Sequence, residues 1–306
     1  MKFSVILTTN AYDVIHFLSR RIFLRPPKIH IHGTRDRYQE NKNNSPGAAI
    51  LGSFCGVYML LGGFLSGFFQ PIKHIRGWSN WISGTSAAFL VTWVFLKWEG
   101  NSFRSIGLAW ERNTILRFGK GILLGACIFV LMVLVLTICS GGKLQYVYQQ
   151  ADVWTLVAFL IYIPLGLMEE VAFRAYPFLR LNQVFGLRVT QIIAAIAFAV
   201  YHIMMRWSIY VAFGGPFIWA FVFGLAAVWS RGIAMPTGIH ITVNVLQNIV
   251  GLRGNNGLIW RIKFPESHLA RAERIGLAIQ LCLLIASVVM MEVFIRQRRK
   301  EVKGNA

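Results

Sequence analysis

Met168-Glu169-Glu170-Val171-Ala172-Phe173-Arg174 places two adjacent carboxylates and a guanidinium inside one apolar run. Residues 155–167 ahead of it carry no charge, and Ala175-Tyr176-Pro177-Phe178-Leu179 follows. A run of that length reads as a membrane-spanning helix, which needs about 20 apolar residues. Asp, Lys or Arg at the centre of such a helix costs roughly 3 kcal/mol on insertion scales, and Glu is comparable. Charges retained at that cost mark a functional site by default, and their partners have to be sought. Glu170 and Arg174 are four residues apart, so they share a helix face in the favourable order, Glu before Arg. Glu169 is rotated from Glu170 by about 100°. Arg174 neutralises one carboxylate, and the other needs a second partner or a proton. A buried salt bridge that only fixes helix packing would not call for the second Glu.

The composition agrees with a membrane setting. Of 306 residues, 56% are hydrophobic and 14% charged, which excludes an ordinary soluble globule. The expected fold is all-α, a polytopic membrane bundle of about eight transmembrane helices. Its apolar segments are residues 48–69, 79–96, 121–139, 153–179, 187–205, 214–229, 233–250 and 275–295. The sixth is short for a crossing. Tryptophans near the segment ends suit aromatic belts. Gly63 and Gly67, and Gly121 and Gly125, have the small-xxx-small spacing of close helix packing. The domain reading is a basic cytoplasmic segment at 1–47, a membrane-embedded domain at 48–296 and a basic tail at 297–306. Residues 12–23 suggest a short helix on the membrane surface.

A formal charge of +19 usually raises nucleic acid as a partner. Here the basic residues fall between apolar runs and at the ends, which points to anionic lipid and to orientation instead. With the N-terminus in the cytoplasm, the inner segments hold 21 Lys and Arg and the outer loops nine, so both termini are expected inside. The outer stretch 252–274, with five cations, is discordant. Cys55, Cys127, Cys139 and Cys282 sit in apolar runs and read as small core residues, neither disulfides nor metal ligands.

Segments four and five are expected to form a hairpin about Val184-Phe185-Gly186. Glu169 and His202 then stand at equal depth, roughly 25 Å along the helices from the turn. His202 has Phe198 on its own face. A lone His on an apolar helix is more often a satisfied core residue than a catalyst. A second one exists, however: His240, Asn244, Gln247 and Asn248 form a polar stripe on segment seven. Such a stripe either glues helices together or lines a cavity.

Taken in order, Glu169-Glu170-x-x-x-Arg174, Phe198-x-x-x-His202 and His240-x-x-x-Asn244 resemble the three motifs of one family. It is the CAAX-protease and bacteriocin-processing (CPBP, or ABI) family of intramembrane endopeptidases, which includes the type II CAAX prenyl proteases. The motif resemblance covers about residues 150–250. It implies an intramembrane peptidase in which Glu169 and His202 activate the hydrolytic water, and His240 and Asn244 stabilise the oxyanion. Glu170 would hold Arg174 and shape the cavity. The physics is compatible: a desolvated carboxylate has a raised pKa, and oxyanion donors act more strongly in a water-poor site. No cofactor is required on this reading. The alternative is zinc on Glu169, His202 and His240, since the family has often been described as metalloproteases, although HExxH is absent. The implied partners are the lipid bilayer and a peptide or protein substrate, membrane-associated or prenylated in some members, with no nucleic acid. The implied location is the cell membrane, multi-pass. Two other classes stay open from the sequence: a transporter with an intramembrane polar site, and a non-proteolytic scaffold or immunity-type protein.

Overall fold

A computed structural model describes residues 52–54, 56–58, 61, 76–147, 159–252 and 259–304. The chain divides into two compact units, Met1–Pro46 and Gly47–Ala306, and every described residue lies in the second. The surface helix expected at 12–23, most of segment 48–69, and Gly63 and Gly67 lie outside the described residues.

Helices make up most of what is described. In chain order they are α1 (Arg76–Trp98), α2 (Thr114–Ser140), α3 (Tyr162–Arg174), α4 (Tyr176–Met204), α5 (Ile209–Gly214), α6 (Pro216–Ser230), α7 (Ala234–Ile249) and α8 (Leu269–Gly304). Short strands β1 (Lys143–Tyr146) and β2 (Trp260–Lys263) pair antiparallel, so the fold is not purely helical. Among the described residues four stretches are long and apolar enough to cross a membrane: Thr114–Ser140, Tyr162–Met204, Ile209–Ser230 and Glu266–Glu301. The expected count of about eight is therefore not reproduced by length and composition. Helix α7 has only 16 residues, with the polar stripe along it, and α1 interleaves Ser83, Thr85, Ser86 and Thr92 with its apolar residues. The sixth segment is longer than expected, because α5 joins α6 across Gly215 to make 22 residues.

The fourth segment is not one continuous helix. It breaks at Ala175 (φ −82°, ψ −104°). Pro177 explains the break: it has no N–H to donate, and its ring clashes with the carbonyl four residues back. A second break falls at Gly186, whose φ of 77° and ψ of 169° suit glycine alone. That is the position of the expected turn. Beyond it the chain returns alongside α3. The Phe173 and Phe198 rings lie 5.1 Å apart and stand at equal sequence distances either side of Phe185–Gly186, the relation expected of an antiparallel pair.

Glycines seat the helices that carry the motifs. A Cβ added to Gly121 would lie 2.2 Å from the Met235 carbonyl oxygen, and one on Gly238 would lie 2.4 Å from that of Phe118. Gly125 faces the Ile239 backbone at 3.0 Å. Helices α2 and α7 thus touch backbone to backbone, as the Gly121/Gly125 spacing predicts. On the other side, Gly84 of α1 leaves room for the Met168 sulfur, which would be 2.3 Å from an added Cβ.

The segments counted as inner gather at one end. Glu99 accepts hydrogen bonds from Tyr176 (2.7 Å) and from Arg180. Arg188 pairs with Glu292 through two bonds of 2.5 and 2.6 Å. Gly107 and Gly232 meet through their backbones. The β-ribbon occupies the other end, where His268 Nδ1 lies 3.1 Å from the Ser140 carbonyl oxygen. Cys127, Cys139 and Cys282 are free thiols but exposed, not core residues. In a bilayer the outward face of a span is as apolar as its inward face, so hydropathy does not separate the two.

Candidate active site

The three motifs meet in one buried cluster. Glu169, Glu170, Arg174, His202, His240 and Asn244 are all between 0 and 6% exposed. Helix α3 supplies the first three, the end of α4 supplies His202, and α7 supplies His240 and Asn244.

His240 sits between the two glutamates. Its Nδ1 is 2.8 Å from Glu170 Oε1, and its Nε2 is 3.4 Å from Glu169 Oε2. Arg174 reaches Glu170 Oε1 at 3.6 Å, a looser contact than the imidazole makes. One ionised carboxylate is thus neutralised by Arg174. The other carboxylate faces the His240 ring, with 3.4 Å between Glu169 Oε2 and Nε2. That supplies the second partner the sequence called for, and it is the histidine of the third motif.

Arg174 itself makes no hydrogen bond among the described residues. Its guanidinium lies 4.2 Å from the Phe198 ring centre, 5.2 Å from Phe223 and 5.7 Å from Phe173. A desolvated cation–π contact contributes about 2 kcal/mol, which partly offsets the missing donors' partners. Phe198 therefore does more than share a face with His202. Its ring packs on His202 at 4.6 Å and lies 6.1 Å from His240, so it contacts both histidines.

His202 is held by its Nδ1, which donates to the Phe198 carbonyl at 2.8 Å. In the neutral ring this leaves the lone pair on Nε2. Asn244, one turn beyond His240, has a buried Nδ2 with no hydrogen-bond partner among the described residues, and Glu169 Oε2 is likewise buried without one. A buried, unbonded acceptor and donor are costly unless something else binds there.

Three residues here have no distinctive sequence signal. Phe223 stacks on His240 with ring centres 4.5 Å apart and planes 14° apart. It comes from an apolar segment in which nothing separates it from Phe217 or Phe221. Trp207 packs on His202 at 4.9 Å instead of serving only as a belt residue. Tyr162 bonds to Asn248, which also donates to the Asn244 carbonyl at 3.1 Å and so ties the start of α3 to the site helix.

Among the described residues no three His, Cys, Asp or Glu side chains are gathered as a metal-binding group.

No curated protein sequence and no solved structure matches the chain. A family comparison does match, over residues 129–246, which hold all three motifs. That stretch is similar to the type II CAAX prenyl endopeptidase Rce1-like family, in agreement with the resemblance its three motifs carry.

Proposed function

We propose that the protein is an intramembrane endopeptidase that hydrolyses a peptide bond with a glutamate-activated water and no metal. The observation that carries this reading is the His240 ring held between two buried glutamates, 2.8 and 3.4 Å away. Glu169, with the weaker contact, is the group left to take a proton from water. His202, held through Nδ1 by the Phe198 carbonyl, is the second residue assigned to activating the water. Asn244 Nδ2 and the His240 ring supply donors for the oxyanion, the contribution that counts most in a dry site. Glu170 positions: it fixes the His240 tautomer through Nδ1 and provides the counter-charge of Arg174. The substrate is a peptide reached from the membrane, with the prenylated C-terminal class of the matched family as the first to try.

Purified full-length protein, stripped with chelator and assayed for metal content, should cleave a CAAX-type peptide at the untreated rate. Loss of cleavage that stoichiometric zinc restores would replace the glutamate mechanism with a metal one. No cleavage of prenylated or unprenylated peptide, treated or not, would remove the peptidase reading.

The protein is further proposed to cross the cell membrane several times with both termini in the cytoplasm. The 21-to-nine division of basic residues supports this, as does the gathering of the inner segments at one end. Reporter fusions at residue 145 and at the C-terminus should report opposite sides, with the C-terminus inside. A C-terminus outside would reverse the assignment.

A further inference from the structure

The outer stretch 252–274 carries more positive charge than its side of the membrane should, and the β-ribbon shows where part of it goes. β1 and β2 pair with Lys143 opposite Lys263, Leu144 opposite Ile262, Gln145 opposite Arg261 and Tyr146 opposite Trp260. Side chains alternate along a strand, so the ribbon has two unlike faces. One holds Lys143, Gln145, Arg261 and Lys263. The other holds Leu144, Tyr146, Trp260 and Ile262, with the Tyr146 and Trp260 rings 5.3 Å apart.

Two features of this ribbon point to a ligand. Like charges directly opposite each other across a strand pair are destabilising, and Lys143 and Lys263 are placed that way. Both are exposed, and among the described residues neither forms an ion pair. The ribbon also lies where two candidate spans end: Thr114–Ser140 stops just before β1, and Glu266–Glu301 starts just after β2. At that level one face can meet headgroups while the aromatic face meets the acyl boundary, where Trp and Tyr are favoured. Leu144 and Tyr146 are exposed accordingly, at 46% and 56%.

We propose that the cationic face of this ribbon is a docking site for anionic phospholipid headgroups, whose phosphate provides the counter-charge that Lys143 and Lys263 lack. The occupant is lipid because the flanking spans put the ribbon at the bilayer surface and its second face is apolar. The Ile259 amide donates to the Ile249 carbonyl at 3.3 Å, so a lipid-held ribbon also holds the end of α7, the helix that carries His240. This docking site does not depend on whether the protein hydrolyses peptides.

The test uses the full chain in nanodiscs of equal phosphatidylglycerol and phosphatidylcholine, with a photo-crosslinking residue at Gln145 on the cationic face. The readout is the ratio of phosphatidylglycerol to phosphatidylcholine adducts. A ratio well above one is expected. Each lysine near an anionic surface should change it roughly fivefold, so Lys143→Gln with Lys263→Gln should lower it by up to roughly thirtyfold. Lys143→Arg with Lys263→Arg keeps the charge and should keep the enrichment, which separates lost charge from a disturbed ribbon. A ratio near one in the unaltered protein would overturn the proposal and leave the lysines merely hydrated. So would an enrichment that survives the Gln pair, one that the Arg pair abolishes, or adducts formed chiefly with an acidic protein.

Discussion

Glu169→Gln should lower turnover by roughly 10²–10⁴-fold, the usual contribution of a general base, while leaving the fold nearly intact. The amide has the size and polarity of the carboxylate but cannot take a proton from water. Little else depends on Glu169. Its one short contact is the 3.4 Å approach to His240 Nε2, and an amide can bond to that nitrogen in either protonation state. Peptide cleavage by folded, purified protein checks the first part, and a thermal melt the second.

Glu170→Gln should fail differently. The amide oxygen can still receive His240 Nδ1–H, so the imidazole keeps its orientation. Arg174, buried and without a hydrogen bond among the described residues, loses the one carboxylate among them that it pairs with, at 3.6 Å. Removing one partner of a buried ion pair costs about 3–5 kcal/mol. Its contacts with Phe198, Phe223 and Phe173 offset only part of that. The expected defect is a lower melting temperature and yield, with activity lost as a consequence. Adding Arg174→Gln removes the unpaired charge and should recover part of the stability. The same second change should not rescue Glu169→Gln. Melting temperatures of the single and double variants decide this.

The difference between the two glutamates is partly legible in the amino-acid sequence. The Glu170–Arg174 spacing follows from helix geometry, and the equal depth of Glu169 and His202 follows from the hairpin about Gly186. The rotation of each helix about its own axis does not follow from either. That rotation decides which histidine faces the glutamates, and it brings His240 between them and the Phe198 ring against His202. The depth of α7 cannot be counted from any turn, because α5, α6 and their junctions intervene. Phe223 is hidden for a related reason: in a wholly apolar helix no residue marks the face turned inward. The break at Ala175 has a visible cause in Pro177. The β-ribbon does not, since Lys143-Leu144-Gln145-Tyr146 and Trp260-Arg261-Ile262-Lys263 are too short for their alternation to stand out, and they are far apart in the chain. Helices α1 and α7 are not among the stretches apolar enough to count as spans, because a hydropathy average cannot tell a buried hydroxyl or imidazole from an exposed one.

The most direct measurement is turnover per folded molecule, taken side by side for Glu169→Gln and Glu170→Gln in the same membrane mimic. Glu169→Gln should melt close to the unaltered protein and turn over roughly 10²–10⁴-fold more slowly, whereas Glu170→Gln should melt lower and retain more activity in whatever fraction stays folded. A stable but inactive Glu170→Gln beside an unstable Glu169→Gln would show the two roles reversed, and full turnover in both would remove hydrolysis from this site.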